Sequence, residues 1–133
     1  MTSVVIIADS GADMARLTAI VGAERGMVLV RHASGRVPVS DIVADHRPTL
    51  VVLGELSPRR LVLERLAEVR RSSPDSKVVV VASDPDARWL GVALGAGASA
   101  VVPGGPSAQA VGTVLQEVLD SETAGERELA QAA

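Results

Sequence analysis

The polar residues that could do chemistry stand at the ends of short apolar runs. Asp9 and Ser10 follow the run SVVIIA, Glu55 follows TLVVLG, and Ser83 follows VVVVA. Carboxylates at such positions could ligate a cation or exchange protons with a substrate. The sequence contains neither a His/Asp/Glu cluster with metal-ligand spacing nor a convergent acid–base pair. We therefore expect no enzyme, no metal site and no cofactor.

The two histidines give little further support to catalysis. His32 could reach the region at the ends of the apolar runs, with Ser34 nearby, but no acidic residue is placed to orient its ring. We therefore expect His32 and His46 to be solvated loop residues rather than catalytic ones.

Two glycine-rich segments resemble phosphate-binding motifs. GAGASA (95–100) matches G-x-G-x-x-A, but it follows a helical segment and precedes a strand-like run, which is the reverse of the dinucleotide motif. It is better interpreted as a helix C-terminus with a tight turn. PGGPS (103–107) follows a strand-like run, so its amides could bind an anion, but it contains no lysine. We favour a plain loop followed by a helix cap.

Composition restricts the partners of the chain. The 133 residues include one Trp, no Tyr, no Phe and no Cys, and the net charge is −3. Without aromatic platforms or a basic face, direct nucleic-acid binding is not expected. The absence of cysteine fits a reducing compartment, and no apolar run approaches the roughly 20 residues of a membrane span. We expect a cytoplasmic domain that does not bind membranes.

Near-continuous Val/Ile/Leu runs alternate with segments of helical spacing. Such runs are typical of strands buried on both faces of a parallel sheet. The five runs are Val4–Ala8, Met27–Arg31, Thr49–Leu53, Lys77–Ala82 and Ala100–Val102. This alternation predicts an α/β fold: a doubly wound, five-stranded parallel sheet of (βα)5 type in a three-layer, flavodoxin-like sandwich.

Local signals set the expected helix ends. The second crossover, about Val39–His46, is the least helix-like, and Asp84-Pro85 predicts an N-cap followed by proline. The last helix is expected at about Ser107–Leu119. Residues 1–120 then form one domain, and the polar tail 121–133 either extends the last helix or begins a linker.

Several segments resemble the receiver domain of two-component response regulators, the CheY-like family. The resemblance covers about residues 3–120. It is carried by SVVIIADSGADMARL, by PTLVVLGELSP and by VVVVASDPDARWLGVALGAGASAVVPGG, in which ALGAGASA is the most specific match. The resemblance implies the CheY-like form of the fold predicted above.

Receivers hold Mg²⁺ with two acids after the first strand and accept a phosphoryl group on an aspartate after the third. A Ser/Thr after the fourth strand and a Lys after the fifth bind the product. The resemblance assigns these positions, in order, to Asp9, Ser10, Gly54, Ala82 and Gly104. Only Asp9 keeps the expected residue type, so the resemblance implies a receiver without phosphorylation chemistry.

Two residues could replace the missing groups after a one-residue shift. Glu55 could imitate a permanent negative charge beside Gly54, and Ser83 could replace Ala82. Pro58, which stands where receivers commonly have a proline four residues after the phosphoacceptor, favours Gly54 as the equivalent position.

We expect a pseudo-receiver that acts in signalling or regulation through protein–protein contact. The resemblance places the surface for a protein partner or a homodimer on helix 4, strand 5 and helix 5. Arg88, Trp89 and Val92 belong to it, with Val101 where a switch aromatic usually stands. For Trp89, simple packing is as strong an interpretation as partner contact.

Two other functions stay open. The chain could be the N-terminal domain of a larger protein, either a transcription regulator or a CpaE/TadZ-like pilus-assembly ATPase. Alternatively, it could be a small-molecule sensor, because glycines at 54 and 104 would leave room in the vacated pocket.

Overall fold

Five strands alternate with five helices in a computed structural model of the chain. The structure describes residues 1–9, 11–103 and 108–132, with side chains described as far as residue 121. The strands are β1 (Thr2–Ala8), β2 (Met27–Ser34), β3 (Leu50–Leu53), β4 (Lys77–Ala82) and β5 (Ala100–Pro103). The helices are α1 (Gly11–Gly22), α2 (Ser40–His46), α3 (Arg60–Ser72), α4 (Ala87–Gly95) and α5 (Ala108–Ala132).

All strand pairs are parallel, and the sheet order is β2-β1-β3-β4-β5. The strands β3 and β4 are buried almost throughout, which explains their unbroken Val/Leu composition. One core cluster lies between the sheet and helices α2 and α3, and a second lies on the face covered by α1 and α5. The predicted doubly wound (βα)5 sandwich is confirmed.

The differences from the predicted element boundaries are largest at β2, at the start of α4 and at the end of α5. Strand β2 continues to Ser34, so His32 is an exposed strand residue and not a loop residue as expected. The N-cap of α4 is Asp86 rather than Asp84, and its carboxylate accepts a hydrogen bond from the Trp89 N–H at 2.8 Å. The helical backbone of α5 runs on to Ala132, beyond the expected end near Leu119.

The GAGASA segment forms the turn between α4 and β5. Gly97 has φ +112°, a left-handed conformation that favours glycine, and the Ala98 N–H donates to the Ala93 carbonyl at 3.1 Å. The interpretation of this segment as a helix C-terminus with a tight turn is therefore confirmed. No helix in the described part of the chain is long and apolar enough to cross a membrane.

A buried ion pair on α3 fixes the loop between β2 and α2. Arg65 and Glu68 are 6% and 8% exposed, and the guanidinium of one donates to the carboxylate of the other. Arg65 Nε also donates to the Gly35 carbonyl at 2.9 Å, and Glu68 Oε1 accepts from the Val39 N–H at 2.7 Å. Because no fully buried side-chain nitrogen or oxygen among the described residues lacks a hydrogen-bond partner, burial of the two charges is compensated.

Replacing Glu68 by Ala leaves the buried Arg65 charge and the Val39 N–H without their acceptor. We expect the free energy of unfolding to fall by about 3 kcal/mol, measured by urea denaturation. Glu64→Ala, at an exposed position of the same helix, is the matched control and should change it by less than about 0.5 kcal/mol. Equal losses in the two variants would contradict the role given to the buried pair.

Candidate functional site

The carboxyl ends of β1, β3 and β4 and the loops that follow them form the edge at which ligands of such folds bind. Asp9, directly after β1, has a side chain that is 12% exposed. Its carboxylate accepts a hydrogen bond from Nε of Arg36, which lies in the loop after β2, and a second from the Ser57 N–H at 3.4 Å. The hydrogen bond from Arg36 holds the pKa of Asp9 below its ordinary value.

The position assigned to the phosphoacceptor is packed closely. Gly54 is buried, and a Cβ atom there would collide with Oδ2 of Asp13 and approach Cδ1 of Leu17 to 2.9 Å. The Asp13 side chain reaches this place from the first turn of α1 and accepts a hydrogen bond from the Glu55 N–H at 3.2 Å. The room expected at Gly54 is therefore filled by the chain itself, which corrects the premise of the sensor hypothesis at this position.

Glu55 points across the edge to the loop after β4. Its Oε1 accepts a hydrogen bond from the Ser83 N–H, and the Ser83 carbonyl accepts one from Arg59 Nη2 at 2.7 Å. The Glu55 carboxylate is thus engaged by backbone within the chain. Ser83 takes part through its peptide groups, whereas the neighbouring Ala82 is buried and apolar.

These contacts engage the carboxylate groups of Asp9 and Glu55 within the chain. Asp9 is the one position of the assigned set that keeps the residue type expected of a receiver, and its two oxygens accept from Arg36 and Ser57. Among the described residues no group of three or more His, Cys, Asp or Glu side chains could hold a metal ion. Ser10, Gly104 and most of PGGPS lie outside the described residues.

The four residues proposed for partner contact differ in exposure. Arg88 and Val92 are exposed on α4, Val92 by 48%. Trp89 and Val101 are half-buried and pack against the core cluster on the α2/α3 face of the sheet. The guanidinium of Arg59 lies 4.9 Å from the centre of the Trp89 ring, within the range of a cation–π contact.

Sequence reasoning missed three residues that shape this edge: Arg36, Asp13 and Arg59. Arg36 was missed because β2 was predicted to end at Arg31, which placed Arg36 several residues from the edge. Asp13 carried a signal, since an acid in the first turn of a helix after a strand lies near that strand's carboxyl end. The contact of Arg59 with Trp89 needs the residue before α3 to lie beside the first turn of α4, which no local pattern contains.

His32 lies beside the edge rather than in it. Its Nε2 is 3.1 Å from Thr18 Oγ1, and the Thr18 hydroxyl donates to the Met14 carbonyl at 2.7 Å. Because that hydroxyl has one hydrogen, His32 Nε2 must be the donor in its contact with Thr18. With Asp9, Met14 and Ser34, His32 lines an open recess of about 240 Å³.

Comparison with known proteins agrees with this fold. No protein-family model and no curated protein matches the sequence. Among solved structures, the signal receiver domain of NarL from Mycobacterium tuberculosis superposes with a TM-score of 0.76 at 15% identity, covering 87% of this chain and 94% of that one.

Two further structures extend the comparison. A LuxR-family DNA-binding response regulator from Staphylococcus aureus gives a TM-score of 0.75 at 18% identity, covering 89% of this chain and 98% of that one. A protein from Burkholderia thailandensis assigned to pilus assembly (CpaE) gives 0.73 at 14% identity, covering 90% and 99%. The chain has the fold of CheY-like receiver domains.

The packing at Gly54 can be tested with Gly54→Ala. We expect the added methyl group, which meets Asp13 and Leu17, to lower the free energy of unfolding by about 1–3 kcal/mol. In a double-mutant cycle, Asp13→Ala should remove part of this loss. Gly91→Ala is the matched control, because nothing lies within 4 Å of its added Cβ and alanine favours the helix. An unchanged stability of Gly54→Ala would show that the position has room.

The ion pair at Asp9 predicts a pH dependence. The lowered pKa of Asp9 stabilises the fold above the unfolded-state value of about 3.9, and this contribution is lost as pH falls through the folded-state pKa. In a carboxyl-carbon NMR titration, Arg36→Gln should raise the Asp9 pKa towards its ordinary value. Arg31→Gln, at an exposed position of β2, is the control and should leave the Asp9 pKa unchanged. An Asp9 pKa insensitive to Arg36→Gln would contradict the assigned cause.

Proposed function

We propose that this domain is a phosphorylation-independent receiver that acts in signal transduction or regulation by binding another protein. The proposal depends mainly on the residue type and the packing at position 54. It has no carboxylate to accept a phosphoryl group, and the space for one is filled by Asp13 and Leu17. Without a nucleophile at this position, in-line phosphoryl transfer to the chain has no acceptor.

The neighbouring positions support the same proposal. The Asp9 carboxylate is paired with Arg36, so binding Mg²⁺ there would require breaking an ion pair. Ala82 offers no hydroxyl group to a bound phosphoryl. A receiver in this condition keeps its scaffold and works by contact rather than by catalysis.

We place the contact surface on α4 and the adjoining parts of β5 and α5. In α4, Ala93 alone is buried, whereas Val92 and Leu94 are 48% and 42% exposed. Val92 lies one turn after Arg88 on the same side of α4, and an exposed apolar side chain beside a charged one is of the kind that a protein partner or a second copy of the chain could cover. Trp89 would contribute its exposed edge to such a contact.

A second candidate function is an atypical receiver domain within a larger protein. It is favoured by the structural similarity to a LuxR-family DNA-binding response regulator and to a CpaE pilus-assembly protein. In that arrangement α5 would lead into an output domain. The reading frame of the full gene distinguishes this candidate from a single-domain regulator.

The proposal is tested by NMR of the labelled protein with Mg²⁺ and beryllofluoride, which imitates an aspartyl phosphate. We expect no saturable shift at Asp9, Glu55 or Ser83, and Gly54→Asp should not introduce one, because the new side chain collides with Asp13. Saturable shifts centred on these residues in the unaltered protein would overturn the proposal and identify a responsive receiver.

A further inference from the structure

The peptide groups of Ser83 are held from both sides by residues that follow β3. The Glu55 carboxylate accepts from the Ser83 N–H, and Arg59 Nη2 donates to the Ser83 carbonyl at 2.7 Å. The peptide units before and after Ser83 are therefore each held by one charge-assisted hydrogen bond, the first to a carboxylate and the second from a guanidinium. The loop after β4 therefore takes its position from the segment after β3.

The backbone conformation of Asp84, the next residue, explains why the loop after β4 needs these contacts. Asp84 has φ +50°, in the left-handed region that residues other than glycine seldom adopt. A residue in this conformation persists where surrounding contacts hold it. The contacts at Ser83 precede Asp84, and the cap from Asp86 to the Trp89 N–H at 2.8 Å follows it.

Helix α4 itself has few means of holding its position. Among its residues only Ala93 is buried, so the sheet fixes the helix weakly along its length. Its first turn is fastened instead by the Asp86 cap and by Trp89, whose ring lies under the Arg59 guanidinium at 4.9 Å. Arg59 thus contacts both the Ser83 carbonyl and the first turn of α4.

We propose that Glu55 and Arg59 are positioning residues that set the conformation of the exposed α4 surface through the backbone N–H and carbonyl of Ser83. Glu55 holds the loop that leads into α4, and Arg59 joins this loop to Trp89. The proposal rests on the proposed function for the use of that surface, and it identifies what keeps the surface in one conformation. Loss of either residue would release Ser83 and let the first turn of α4 shift.

Amide NMR of the whole chain tests the carboxylate contact. In Glu55→Ala we expect the Ser83 amide proton to exchange about tenfold faster, with shift changes at the Trp89 indole N–H and the Val92 amide. Glu64→Ala, at an exposed position of α3, is the matched control and should change neither the Ser83 exchange rate nor the two chemical shifts. Glu55→Gln keeps an acceptor oxygen and should preserve most of the protection.

Fluorescence tests the guanidinium contact, because Trp89 is the only tryptophan. Arg59→Ala should shift the Trp89 emission to longer wavelength and increase its quenching by acrylamide. Arg60→Ala, the exposed neighbour, should not.

The proposal is overturned if Ser83 exchange rises without a response at Trp89 and Val92, or if the control variants produce equal changes. Both measurements use the protein alone. Their failure would leave the proposed function standing, whereas a beryllofluoride response would overturn that function and leave this coupling intact.

Discussion

The close packing around Gly54 is the constraint on which the functional edge depends. Since β3 is buried and its last N–H groups pair with β1, with Gly54 N–H donating to the Ile7 carbonyl at 2.7 Å, this point cannot move outward. The Asp13 side chain from α1 closes the remaining space and accepts from the Glu55 N–H. That contact orients the segment after β3, so that the Glu55 side chain can reach the loop after β4.

Three acidic residues of the edge are engaged within the chain. Asp9 pairs with Arg36, Asp13 with the Glu55 amide, and Glu55 with the Ser83 amide. In a typical receiver, this edge gains negative charge when a phosphoryl group is transferred to an aspartate. In this chain, the carboxylates of Asp9 and Glu55 and the guanidinium groups of Arg36 and Arg59 link the loops at this edge by hydrogen bonds. These hydrogen bonds join the loops after β1, β2, β3 and β4 along one edge of the sheet.

The loop after β2 connects this edge to the core. Arg65 and Glu68 hold its backbone at Gly35 and Val39 from beneath, while Leu56 packs so closely on Gly35 that a Cβ there would collide with it. Arg36 lies between these anchors, and its side chain is 70% exposed while it pairs with Asp9. A buried charge pair on one helix thus positions an exposed cation on a different element.

The sequence by itself determined the sheet, the alternation of strands and helices, and the lack of a carboxylate at position 54. Burial on both faces of a parallel sheet imposes a composition that can be read locally from runs such as VVVV. Once the strands are assigned, the sequence also shows which residues stand at their carboxyl ends, at positions 9, 54 and 82. Only the tertiary structure decided what fills the site, because Asp13, Arg36 and Arg59 reach it from three different elements. Their contacts depend on side-chain packing between segments far apart in the chain. At β2, which runs to Ser34 rather than to Arg31, the length of the strand decides that Arg36 reaches the edge.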